Sequence, residues 1–217
     1  MPLAAGSFST WLAGMQQALQ GDGASDVPCG SCTACCTSSQ FVHIGPDEVD
    51  ALAHIPAQLL FPAPRLPKGN VLLGYDQHGD CPMLVDGGCS IYDHRPRTCR
   101  TYDCRIFPAT GIDPGDGDKA AIARRSRRWE FAFPSDDDRV LQDAVQSAAR
   151  FVRERHDRLP EDSIPANATQ CAVLAIRIHH VFLGRDQATY RPVAVDPEPE
   201  AVLVVLGPPR DRREPAG

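Results

Sequence analysis

Apolar residues first recur at helical spacing near the start of the chain. Phe8, Trp11, Leu12, Met15 and Leu19 share one face between Ser7 and Gln20, with Ser7 or Ser9 as a cap. This pattern predicts an amphipathic helix packed on a domain, ended by Gly21-Asp22-Gly23. Beyond the break the apolar runs shorten. Phe41 to Ile44 reads as a strand, and Pro46-Asp47-Glu48 as the first turn of a helix that carries Val49, Leu52 and Ala53 and stops near Pro56. Residues 61–68 hold three prolines and read as loop. Val71 to Tyr75 and Cys81 to Val85 are strand patterns separated by Gln77-His78-Gly79-Asp80, which predicts a β-hairpin between them. Asp86-Gly87-Gly88 is a further turn, and Asp93 could cap a short helix carrying Cys99.

The second half reads as helical. After a Gly, Asp and Pro-rich loop at 110–118, a helix is expected over Lys119–Trp129 with Arg124, Arg125, Arg127 and Arg128 outside. Val140, Leu141, Ala144, Val145, Ala148, Phe151 and Val152 keep a three-four rhythm and predict a long helix over 136–159, capped by Ser135. Another helix is expected over 167–182. Residues 191–217 are Pro-rich and charged apart from Ala201 to Leu206, and read as a loosely held tail. The expected architecture is α+β. It comprises an N-terminal helix (1–24), a small cysteine-rich metal-binding domain with a short hairpin and flanking helices (25–110), a helical extension (111–190) and the tail (191–217).

Composition narrows the function classes. Only 6% of the residues are aromatic, so the core is expected to be aliphatic. A net charge of −6 argues against a nucleic-acid binder, and the Arg124–Arg128 run then reads as a solvated helix face. No long apolar run exists, so no membrane span is expected. The first twenty residues lack the basic and apolar regions of a secretory signal, which makes the cytoplasm the expected location. Thiols stay reduced there, so clustered cysteines point to metal or redox chemistry rather than to disulfides.

Eight of the nine cysteines fall between residues 29 and 104: Cys29, Cys32, Cys35, Cys36, Cys81, Cys89, Cys99 and Cys104. Thiolates hold zinc tetrahedrally and also hold iron–sulfur clusters. Cys29-x2-Cys32-x2-Cys35 is a chelate spacing like the start of a bacterial ferredoxin motif, but Cys36 follows at once and no proline comes after it. Cys35 and Cys36 therefore serve different metal atoms or different roles. A dithiol redox centre at Cys29 and Cys32 is an alternative, without a thioredoxin-like βαβ pattern around it. Arg95, Arg97, Arg100 and Arg105 are positioned in sequence to offset a negative site. His43, His54, His78 and His94 lie in the same region without a His-x3-His pair, and read as surface or core residues; His94 is the one singled out. His179 and His180 are adjacent on an expected helix and diverge. Cys171 stands apart and reads as a small buried apolar residue.

The run Cys29-x2-Cys32-x2-Cys35-Cys36, followed by Cys81-Pro82-Met83-Leu84 and Cys89-Ser90-Ile91-Tyr92-x2-Arg95-Pro96-x2-Cys99-Arg100-x3-Cys104, resembles the YkgJ-type cysteine-cluster family of zinc- or iron-chelating domains. The resemblance covers roughly residues 25–110. It implies metal binding through the eight matching cysteines, and family members are often described as iron–sulfur proteins. Flagellin lysine N-methylases resemble the same module, which leaves methyl transfer to a protein side chain open. Together these readings give a cysteine-ligated metal centre, an iron–sulfur cluster preferred to zinc. The alternatives are a purely structural zinc module that binds a protein partner, or a cluster-dependent enzyme.

Overall fold

The computed structural model describes residues 1–21, 27, 29–64 and 66–207. The expected boundary between the N-terminal helix and the cysteine domain, and the last ten residues of the expected tail, lie outside the described residues. In chain order the elements are β1 (Leu3–Ser7), α1 (Phe8–Gln20), β2 (Val42–Ile44), α2 (Val49–His54), β3 (Leu60–Pro62) and β4 (Val71–Leu73). They continue with β5 (Leu84–Val85), β6 (Gly88–Cys89), α3 (Arg97–Thr101), α4 (Ile106–Thr110), α5 (Ala120–Ser126) and β7 (Trp129–Ala132). The last are α6 (Asp136–Glu154), α7 (Ala168–Ile178), β8 (Leu183–Arg185), β9 (Pro192–Ala194) and α8 (Pro199–Leu206). Helices mixed with several small sheets make this an α+β protein.

The chain forms two compact units. The first takes residues 1–12, 105–113 and 129 onward; the second takes 13–104 and 114–128. In the first unit β1 runs parallel to β7, pairing Leu3 with Trp129 and Ser7 with Ala132. Phe8 packs edge-on to Phe131 with ring centroids 5.1 Å apart, and Trp11 lies 5.0 Å from Phe131. The core is built by α6 on α7. Ala144, Ala148 and Ala149 on one helix and Ala172 and Ala175 on the other are all buried, and such small side chains let helix axes approach closely. Cys171 is buried in α7, in this unit.

One carboxylate organises two helix starts in this unit. The Ser135 hydroxyl accepts from the Asp138 N–H at 3.3 Å, and Asp138 Oδ2 accepts from the Ser135 N–H at 3.2 Å and its hydroxyl at 2.6 Å. Asp138 Oδ1 accepts from the Ser9 N–H at 3.0 Å, at the beginning of α1. Hydrogen bonds from Ser135 and then Ser9 hold the Asp138 carboxyl well below the usual carboxylate range. A folded-state value below the unfolded one adds stability above about pH 3.9, and that contribution is lost as pH falls further. Denaturant titration should find Ser135→Ala about 1 kcal/mol less stable. The gap between the wild type and Asp138→Asn should be constant above about pH 5 and narrow progressively as pH falls below about 4.

In the second unit β4 is the centre of a three-stranded antiparallel sheet, ordered β2-β4-β3. Leu73 is paired with Val42 on one side and Leu60 on the other. This replaces the hairpin expected between residues 71–75 and 81–85. An apolar strand gains partners on both edges in this arrangement, whereas a hairpin would leave one edge open. The hairpin that does form joins β5 to β6, where Asp86 and Gly87 take φ of +50° and +76°, the left-handed turn conformation that matches strand twist. Part of the 61–68 loop is strand β3, and its Pro62 is tolerated at the sheet edge. Val42, Ile44, Ala51, Ile55, Leu73, Met83 and Ile91 form the core of this unit, with Cys81, Cys89 and Cys99 packed against it.

Other boundaries also shift. The helix expected to Trp129 stops at Ser126, because Trp129 is the first residue of β7. The long helix stops at Glu154 and α7 at Ile178, each followed by a 3-10 turn. Residues 199–206 form α8, with Val202 fully buried, which gives the apolar run Ala201 to Leu206 a partner surface.

Candidate metal centre

The first four cysteines sit on tight turns. The Cys32 N–H donates to the Cys29 carbonyl at 3.1 Å, and the N–H groups of Cys36 and Thr37 both donate to Thr33. Gly30 supplies the left-handed φ of +57° that this folding-back needs. Lys119 Nζ donates to the carbonyls of Ser38 and Ser39, and Arg125 Nη2 donates to the Cys29 carbonyl at 3.2 Å. Both ends of the run are thus tied to the 117–126 segment.

The other cysteines arrive by separate anchors. The Cys81 N–H donates to the Cys36 carbonyl at 2.7 Å, and Ser39 N–H to Gly79 at 2.9 Å. Cys89 closes the β5–β6 hairpin opposite Leu84. Cys99 rides on α3, whose start is held by two polar side chains. Glu48 accepts from the N–H groups of Gly45 and Arg97, and the Thr98 hydroxyl donates to the His43 carbonyl at 2.7 Å. Glu48 is 9% exposed, so removing it takes the acceptor from the buried Gly45 N–H and the part-buried Arg97 N–H. Glu48→Ala should cost about 1–3 kcal/mol of stability in denaturant unfolding.

All eight cysteines line a single cavity of about 190 Å³, together with apolar Leu73, Met83, Ile91 and Ile122. None of the nine cysteines is in a disulfide. Among the described residues the only trio of His, Cys, Asp and Glu donor atoms within 4.8 Å of one another is elsewhere, at Asp50, His54 and His94. The sulfurs therefore surround the cavity without closing to that distance as any trio.

The thiols are poised unequally. Cys35 accepts a hydrogen bond from Cys36, which holds it down at about 7 against the opposing effect of burial. Cys36 is driven well up because it donates that bond, with burial and the charges of Cys35, Cys81 and Cys89 adding. Burial, then Cys35, Cys81 and Cys89, pushes Cys99 up to about 12. Burial is also the main cause that raises Cys29 and Cys81. One thiolate is thus easy to form here and its neighbours are not. A bound cation reverses that order by replacing the protons. The donor set fits a soft, thiophilic metal.

Of the arginines expected to offset this charge, Arg95 lines the cavity and favours the thiolates of Cys35 and Cys99. Its Nε donates to the Tyr92 carbonyl at 2.7 Å, and its guanidinium lies 3.5 Å from the Tyr92 ring centroid. Arg97 instead pairs with Asp47, and Arg105 donates to the Ala5 carbonyl. Arg125 is the cation that sequence reasoning missed. The Arg run reads as a solvated helix face, yet Arg125 lines the cavity and favours the Cys29 thiolate. Its spacing in the Arg run carries no signal that would separate it from its neighbours. The histidines are placed away from the cavity lining. His43 bonds to Asn70 at 2.9 Å, and His179 to the Ile176 carbonyl at 2.7 Å.

Residues 28–121 match a family model described as "CxxCxxCC: Putative zinc- or iron-chelating domain". No curated protein and no solved structure matches the chain. No described helix is long and apolar enough to cross a membrane.

Proposed function

From the premise that residues 28–121 form a domain of the CxxCxxCC family, we propose that Cys29, Cys32, Cys35, Cys36, Cys81, Cys89, Cys99 and Cys104 hold an iron–sulfur centre. The observation that carries this reading is the convergence of eight thiols from four separate chain segments on one cavity. The spacing of the sulfurs supports iron over a single zinc ion. Four sulfurs about 2.3 Å from one tetrahedral ion would stand roughly 3.8 Å apart and enclose no further space. A multi-iron cluster spreads its cysteines over several metal atoms and needs a wider site. The cluster would supply electron-transfer or Lewis-acid chemistry, while Arg95 and Arg125 offset its charge. Free thiols fit a reducing compartment, and the cytoplasm is the proposed location.

Anaerobic purification tests the proposal. A brown protein with iron and acid-labile sulfide supports it. A colourless protein with stoichiometric zinc replaces it with a structural zinc module that serves protein interaction. A second, enzymatic reading, methyl-group or electron transfer on a protein side chain, draws support from Tyr92 and Arg95, which line the same cavity. Spectral change of the anaerobic cluster on adding a lysine-containing peptide and a methyl donor would favour it.

A further inference from the structure

Asp50 and His54 are four residues apart on α2 and so share one helix face, and His94 reaches the same place from the 3-10 turn Tyr92–His94. Donor atoms from all three lie within 4.8 Å of one another. Asp50 Oδ2 is 3.0 Å from His94 Nδ1, and Asp50 Oδ1 is 3.6 Å from His54 Nδ1. The two imidazole rings are stacked, centroids 3.5 Å apart and 7° from parallel. The side chains are 68%, 41% and 40% exposed for Asp50, His54 and His94, so an ion can reach them from solvent.

We propose that Asp50, His54 and His94 form a second, open divalent-cation site that takes Zn²⁺ independently of the cysteine centre. Two neutral imidazoles and one carboxylate, with water in the fourth position, are a zinc ligand set. The hydrogen bonds already present show what the ion would replace. His94 Nδ1 faces the Asp50 carboxylate, and His54 Nδ1 lies 2.8 Å from the Asp50 main-chain carbonyl. In each neutral ring the proton moves from Nδ1 to Nε2 as Zn²⁺ takes up the Nδ1 lone pair, so both imidazoles stay neutral. The rings must turn out of their stack to aim both nitrogens at one ion, which their exposure permits. Arg100 acts on the Asp50 charge from nearby and opposes a second cation, which limits the affinity. Bound zinc would tether α2 to the turn that precedes the Cys99 helix. The cysteines use sulfur and this site uses nitrogen and oxygen, so neither requires the other.

The test uses full-length protein with its cysteine centre in the state in which it is purified, titrated with Zn²⁺ and followed by imidazole ¹H–¹⁵N correlation spectra. The expected result is that His54 and His94 shift together and saturate at a single added equivalent, while His78 does not move. His94→Ala and, as a milder change, His54→Gln should each weaken that uptake by at least the ~10–100-fold that loss of an outer partner costs a metal site. Imidazole signals of His54 and His94 that stay unmoved at excess Zn²⁺, or a remaining imidazole that titrates equally tightly in each variant, overturn the proposal. Neither result depends on which metal the cysteines hold, so the two sites fail separately.

Discussion

Serine in place of Cys32, Cys81 or Cys99 is expected to leave the protein with little or no metal after anaerobic purification, whereas Cys171→Ser retains the full complement. The three positions come from three segments, and all three line the cavity. A serine hydroxyl is a poor substitute for a soft thiolate and stays protonated where a thiol gives up its proton. Loss of one ligand should weaken retention by more than the ~10–100-fold seen for outer partners. Cys171 lies buried in α7 of the other unit and packs as a small apolar side chain. Metal per chain, measured by elemental analysis, decides the matter. Equal retention in Cys32→Ser and Cys171→Ser would remove the ligand assignment.

Stripping the metal should loosen the second unit far more than the first. The second unit is built from three-residue strands and from helices such as α3 and α5, five and seven residues long. Elements that short are not stable alone and depend on what cross-links them. Metal held by cysteines is such a link, and structural zinc sites in small peptides contribute about 10–16 kcal/mol. The first unit has the 19-residue α6 and a tightly packed α6–α7 core, so it does not depend on that link. Hydrogen exchange after chelation should show amides between residues 29 and 104 exchanging near the unprotected rate while α6 and α7 stay protected. Uniform protection in both units would mean that the cysteines add nothing to folding.

The cysteine-bearing segment was legible because its signal is local. Cys29-x2-Cys32-x2-Cys35-Cys36 compresses four thiols into one turn-rich stretch, and the periodicity of Val140 to Val152 declares α6 without any partner. What was hidden depends on residues far apart. The choice of Leu73 between Val42, Leu60 and the 81–85 segment is made by the sheet as a whole, and the local strand patterns carry no sign of it. Arg125 looks like its neighbours until the Cys29 carbonyl is seen beside it. Asp50 and His54 form an unremarkable acid–histidine pair until His94 stacks on it from forty residues away. Strand β1 has no alternation to announce it, and only β7 gives it a place.

That last pairing has a bearing on how the polypeptide is made. The stretch that carries Cys29 to Cys104 is interposed between β1 and β7, so β1 is without its strand partner until all eight of those cysteines have left the ribosome. Closure of that parallel pair therefore follows synthesis of the whole stretch, and a purification tag that crowds Leu3–Ser7 is expected to disturb it.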